Sequence, residues 1–78
     1  MYLVKETWKW NDGTSPLVVF EDKDKVVYHD TADLTKANGW KRRRYAEDRA
    51  NKRQDAEDFY DRMVEDRIVK ITFTVCEV

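Results

Sequence analysis

Four kinds of side chain in this sequence invite a chemical reading: a histidine beside a carboxylate, a lone cysteine, a pair of aspartates and a dense run of arginines. His29 and Asp30 are adjacent, and an imidazole next to a carboxylate suggests acid–base work. Neighbouring strand residues point to opposite faces, so the two do not converge if the strand continues. No second histidine exists, and the pair reads as a strand-end histidine and a capping carboxylate. Cys76 is the only cysteine. A nucleophilic thiolate needs a base or positive surroundings, and nothing in the sequence brings His29 to it, so it reads as a structural thiol. One Cys and one His in no ligand spacing do not make a metal site. Asp22 and Asp24 come without the glycine and terminal glutamate of a calcium loop and read as a solvated turn. With Gly13 and Gly39 the only glycines, there is no phosphate-cradling loop. The expectation is a non-enzymatic protein with no metal and no cofactor.

The arginines carry the strongest cue. Lys41 to Arg53 holds seven bases (Lys41, Arg42, Arg43, Arg44, Arg49, Lys52, Arg53) against Glu47 and Asp48, a net of +5. Asp55 to Asp66 holds six acids (Asp55, Glu57, Asp58, Asp61, Glu65, Asp66) against Arg62, a net of −5. The run Lys41 to Arg67 has no Gly or Pro and many helix formers, which predicts one long helix. Its charges oppose the helix dipole, which favours acids at the N-terminus and bases at the C-terminus. Three uses of this polarity stay open. The basic half, with Tyr45 in it, suits nucleic-acid phosphates. Both halves suit a protein target, acids in a basic groove and Arg42 to Arg44 and Arg53 on carboxylates. Two copies laid antiparallel would match each basic half with the other's acidic half, Ala46 and Ala50 allowing close approach. The plain alternative is a solvated helix laced by pairs such as Arg43–Glu47, Arg44–Asp48 and Asp48–Lys52, each worth about 0.2–0.5 kcal/mol.

The elements around that run follow from periodicity. Tyr2 to Trp10 alternates, with Tyr2, Val4, Trp8 and Trp10 on one face and Glu6 the single polar interruption. Asn11 to Pro16 is dense in turn formers. Leu17 to Phe20 and Lys25 to His29 predict two more strands, completing an antiparallel meander. Thr31 reads as the N-cap of a short helix ending near Ala37, before Asn38-Gly39. Trp40 is expected to cover the junction. Ile68 to Val78 alternates again as a strand. The expected fold is α+β, two-layer, in the order β-β-β-α-α-β.

On a helical wheel Tyr45, Ala46, Arg49, Arg53, Ala56, Tyr60, Met63, Val64 and Arg67 share one side. The apolar C-terminal half of that stripe is expected on the sheet. The N-terminal half, where arginines replace apolar residues, is expected to reach solvent or a partner. A helix of that length, about 40 Å, would overhang an ordinary strand of about 20 Å.

Seventy-eight residues allow one domain with a small core. Fifteen basic and sixteen acidic residues exclude a strongly basic or strongly acidic chain. No apolar run approaches the roughly 18 residues that span a bilayer. No signal peptide is read, since alternation starts at Tyr2. The expectation is a cytoplasmic protein with no membrane contact.

Asn38-Gly39-Trp40 after a short helix, and Glu57-Asp58-Phe59-Tyr60-Asp61-Arg62-Met63 in a charged stretch, resemble parts of a family of small phage-encoded anti-CRISPR proteins that block type II effector nucleases. Length, a meander ahead of the helices and wealth of charge are similar too. The resemblance implies a phage-encoded inhibitor acting by protein contact in the host cytoplasm.

Overall fold

The computed structural model describes residues 1–58, 62–64 and 66–78, the stretch 62–64 by its backbone. The alternation of Tyr2 to Trp10 becomes β1 (Tyr2–Trp10), and the turn-forming stretch after it leads to β2 (Leu17–Glu21) and β3 (Val27–Tyr28). A 3-10 helix follows (Thr31–Lys36), then α1 (Arg43–Asp58), β4 (Arg62–Val64) and β5 (Arg67–Glu77). All strand pairs are antiparallel, and the sheet runs β3-β2-β1-β5-β4. The long strands β1 and β5 are neighbours at its centre, paired from Tyr2↔Glu77 to Trp10↔Val69.

The α+β class, the meander and the C-terminal strand match expectation; the order does not. α1 ends at Asp58, and Arg62–Val64 pairs with Arg67–Val69 as a hairpin instead of continuing a helix to Arg67. Asp66 makes the turn at φ 62, a left-handed position that aspartate tolerates better than most residues. Met63 and Val64 fit a helical stripe as well as a strand, and the edge of β5 decides between them. The helix is therefore about 24 Å long and does not overhang β1, which is about 30 Å. The short helix is 3-10, and its N-cap is Asp30 rather than Thr31: Asp30 Oδ1 accepts from the Ala32 amide at 2.9 Å. The third strand shrinks to Val27–Tyr28 because the residues before it form a turn around Asp22.

The register sorts the sheet into two faces. Val4, Glu6, Trp8, Val19, Glu21, Val69, Ile71, Phe73 and Val75 share the face that α1 covers. There Val4, Ala50, Val69, Ile71 and Phe73 form the main core, with Trp8, Trp10, Trp40 and Val75 packed against it. Each large apolar side chain buried there contributes about 1.5–3 kcal/mol. Trp40 covers the junction as expected. On the other face Leu3, Phe20 and Ala37 make a smaller core with Val18, Tyr28, Leu34 and Cys76. The 3-10 helix closes only that end.

Asp22 is not a solvated turn residue; it is 1% exposed. Its Oδ1 accepts from the Asp24 and Val26 amides (2.9 and 3.1 Å), and its Oδ2 from Tyr28 Oη and the Asn38 amide (2.8 and 3.1 Å). Burial pushes its carboxyl up, but the donors outweigh that and hold it below the usual aspartate value. Gly39 is needed where Trp40 and Tyr2 exchange backbone bonds, because a Cβ there would lie 2.7 Å from the Tyr2 carbonyl oxygen.

Candidate interaction site

Ala46, Arg49 and Arg53 of the predicted stripe turn inward, so the N-terminal half of α1, expected to reach solvent or a partner, packs on the sheet. Tyr45 and Ala56 of the same stripe are exposed. Ala46 and Ala50, 0% and 4% exposed, seat the N-terminal half of the helix on β1 and β5. The alanines expected to let a second helix approach are thus used inside the domain, and the antiparallel dimer through residues 41–56 loses its contact surface. Arg49 and Arg53 follow the alanines inward. Arg49 Nε and Nη2 donate to Glu21 Oε1 and Oε2 (2.8 and 3.3 Å), and Arg53 Nη1 to Glu21 Oε2 (2.8 Å). Arg53 Nη2 also donates to Glu6 Oε1 (2.8 Å), whose Oε2 accepts from Trp8 Nε1 at 2.5 Å. The Arg53 guanidinium lies 4.7 Å from the Phe73 ring centroid. The hydrogen bonds to Glu21 raise the Arg49 pKa against the opposing effect of burial. Arg49 and Arg53 therefore tie helix to sheet and do not wait for a partner.

The other predicted contact residues fall into three groups. Arg42, Arg43, Arg44, Tyr45 and Lys52 are exposed. Arg43 pairs with Glu47 at 2.7 Å, and Arg44 lies 4.8 Å from the Tyr45 ring centroid while donating to its hydroxyl. Tyr45, 47% exposed, borders an open cleft of ≈ 500 Å³ with Trp40, Lys25, Asp48, Arg49 and Lys52. Asp55, Asp58 and Asp66 are exposed and Glu57 is half-buried. Asp66 sits in the hairpin turn, so the acids do not form the rear half of one rod. Asp61 and Glu65, with Phe59 and Tyr60, lie outside the described residues. Of the helical pairs expected, Arg43–Glu47 forms, whereas Arg44–Asp48 and Asp48–Lys52 do not.

A feature the sequence reading missed lies on the opposite flank of α1. β4 pairs with β5 only from Arg67 to Val69. Beyond it the outer edge of β5 has one cover among the described residues, the side chain of Gln54. Its Nε2 donates to the Ile71 carbonyl (3.1 Å) and its Oε1 accepts from the Phe73 amide (2.8 Å). Because the backbone of a strand alternates direction, Val75 and Glu77 turn their N–H and C=O groups to the same edge. The stretch Phe73-Thr74-Val75-Cys76 carries no charge, proline or bulge of the kind that blunts an edge. Above it, between α1 and the strand, is an open cleft of ≈ 280 Å³ lined by Arg43, Glu47, Ala50, Asn51, Phe73, Thr74 and Val75. The signal in the sequence is Gln54, an uncharged polar residue on a helix otherwise crowded with charge.

Among the described residues, no cluster of three or more His, Cys, Asp or Glu has metal-binding geometry, and no helix is long and apolar enough to cross a membrane. Cys76 is a free thiol, half-buried against the smaller core. No protein family, curated protein or solved structure with which the chain was compared matches it.

Proposed function

We propose that this chain is a non-enzymatic protein-interaction module that receives an extended segment of a partner protein at the outer edge of β5. The observation that carries the reading is the edge left open at Val75 and Glu77, beyond the Gln54 cover at Phe73, with a cleft directly above it. Strand addition supplies main-chain hydrogen bonds, and a pocket beside the edge reads alternate side chains. Ala50, Phe73 and Val75 give that pocket an apolar floor, while Arg43 and Glu47 at its rim select polar or charged neighbours. Tyr45 with the stacked Arg44, types enriched where binding energy concentrates, extends the surface over the other flank of α1. An inhibitor docking on a nucleic-acid-processing protein is the role within this class that the resemblance at Asn38-Gly39-Trp40 favours.

The test is Val75→Pro, which removes an N–H that bonds nothing among the described residues and is tolerated at a strand edge. Affinity capture with the wild type and the variant, quantified by mass spectrometry, should show a partner enriched by the wild type and lost with Val75→Pro. Hydrogen exchange at Val75 and Glu77 should be fast in the free chain and slow in that complex. Equal recovery by both chains, or slow exchange at Val75 in the free monomer, overturns the reading.

A further inference from the structure

Of the side chains the function above leaves unused, the lysines of the sheet are the most ordered. Every lysine of the strands, Lys5, Lys9 and Lys70, lies on the face away from α1. Every strand glutamate, Glu6, Glu21 and Glu77, lies on the opposite face. Arg67 is on the α1 side too, stacked 4.2 Å from the Trp10 ring centroid. Over β1 and β5 this face thus carries charge of one sign, while Asp22, Asp24 and Asp33 gather around Tyr28 at its β3 end.

Within that face Lys9 stands directly opposite Lys70 in the β1–β5 register. Like charges facing each other across a strand pair, with Cβ atoms about 5 Å apart, are destabilising. Neither has an ion-pair partner among the described residues, nor does Lys5. Lys5 is about 14 Å along β1 from Lys9 at about 3.4 Å per residue. Thr7 faces Thr72 between them, and Thr74 faces Lys5, so the intervening positions carry hydroxyl donors. Lys9, Lys70 and Thr74 are exposed, and the 3-10 helix covers only the far end, around Leu3 and Phe20.

We infer that this face binds the phosphate backbone of duplex nucleic acid. Two ammonium groups held side by side lose their mutual repulsion when an anion lies between them, and a duplex brings regularly spaced phosphates. Phe20 is buried on this face and the Tyr28 hydroxyl is turned to Asp22, while Trp10, which lines an open cleft with Lys9, Ile68 and Lys70, is already stacked against Arg67. Three lysines spread over β1 and β5 suit phosphates better than they suit the core of a protein interface, from which lysine is depleted. Lysine and threonine contacts to phosphate position a duplex without reading its sequence.

Fluorescence anisotropy of the whole chain on a labelled 20-base-pair duplex tests this. Three phosphate contacts, at a slope of about −0.9 each, weaken binding about 40-fold between 50 and 200 mM salt. Lys5→Gln/Lys9→Gln/Lys70→Gln should lose binding at least 30-fold at low salt while unfolding at a higher midpoint, since the Lys9–Lys70 repulsion is gone. Arg42→Gln/Arg44→Gln, on the other side of the domain, should change it less than 3-fold. Unchanged binding by the lysine variant, or loss confined to the arginine variant, overturns the inference. So does lysine-dependent binding to poly-glutamate or to phosphatidylserine vesicles that equals binding to the duplex.

Discussion

Replacing Glu21 with alanine removes the carboxylate on which helix and sheet meet. That side chain is 8% exposed and accepts three hydrogen bonds from two guanidinium groups, while Arg49 and Arg53 retain 28% and 32% exposure. Removing one partner of a fully buried ion pair costs about 3–5 kcal/mol, because the other is left charged and dry. Here both arginines can turn partly to water and Glu6 still holds Arg53, so the expected loss is about 2–4 kcal/mol. A domain of this size has about 4–12 kcal/mol in all, at about 0.05–0.15 kcal/mol per residue. The midpoint should fall by about 10–20 °C. Urea and thermal unfolding, followed by tryptophan fluorescence and far-ultraviolet circular dichroism, measure both quantities. A double-mutant cycle with Arg53→Ala should return a coupling of about 1–2 kcal/mol. A loss below about 0.5 kcal/mol, with no coupling, would mean that the three charges behave as a surface pair and that the apolar core alone seats α1.

Asp22 links stability to acid. Its carboxyl is depressed in the fold, so its contribution is present above the unfolded value of about 3.9 and is lost as pH falls through the lower folded value. The stability gap between the wild type and Asp22→Asn should therefore be widest near neutral pH and shrink below about pH 4; a gap constant from pH 7 to pH 2.5 contradicts this. Lys25 sits at φ 64 in the turn beside Asp22, a conformation costing a non-glycine residue about 1 kcal/mol. Lys25→Gly should raise the urea midpoint slightly, and an unchanged or lower one refutes the strain. At Gly39 a methyl would press on the Tyr2 carbonyl, which also accepts from the Trp40 amide at 2.9 Å. Gly39→Ala should cost about 1–3 kcal/mol in chemical denaturation, and a neutral result would show that the junction gives way.

Much of the sheet was legible because alternation is a local property. Tyr2 to Trp10 and the C-terminal strand could be read from their period-2 pattern alone, and Asn11 to Pro16 as the turn between strands. The capping role of Asp30 was equally local. The helix was legible in type but not in extent: Met63 and Val64 satisfy both periods, and only the presence of β5 beside them makes a hairpin cheaper than another helical turn.

The candidate site shows the same division. The sequence put Arg49 and Arg53 on the core stripe of α1 and Glu6 on the inward face of β1, but these are contacts between residues up to 47 positions apart. Charges that far apart along the chain are matched only by strand register and helix placement. The open edge of β5 and the lysine face are tertiary in the same sense. Sequence decides which way each side chain points from its strand; which strands lie side by side, and which edge is left without a neighbour, is decided by the packing of the whole chain.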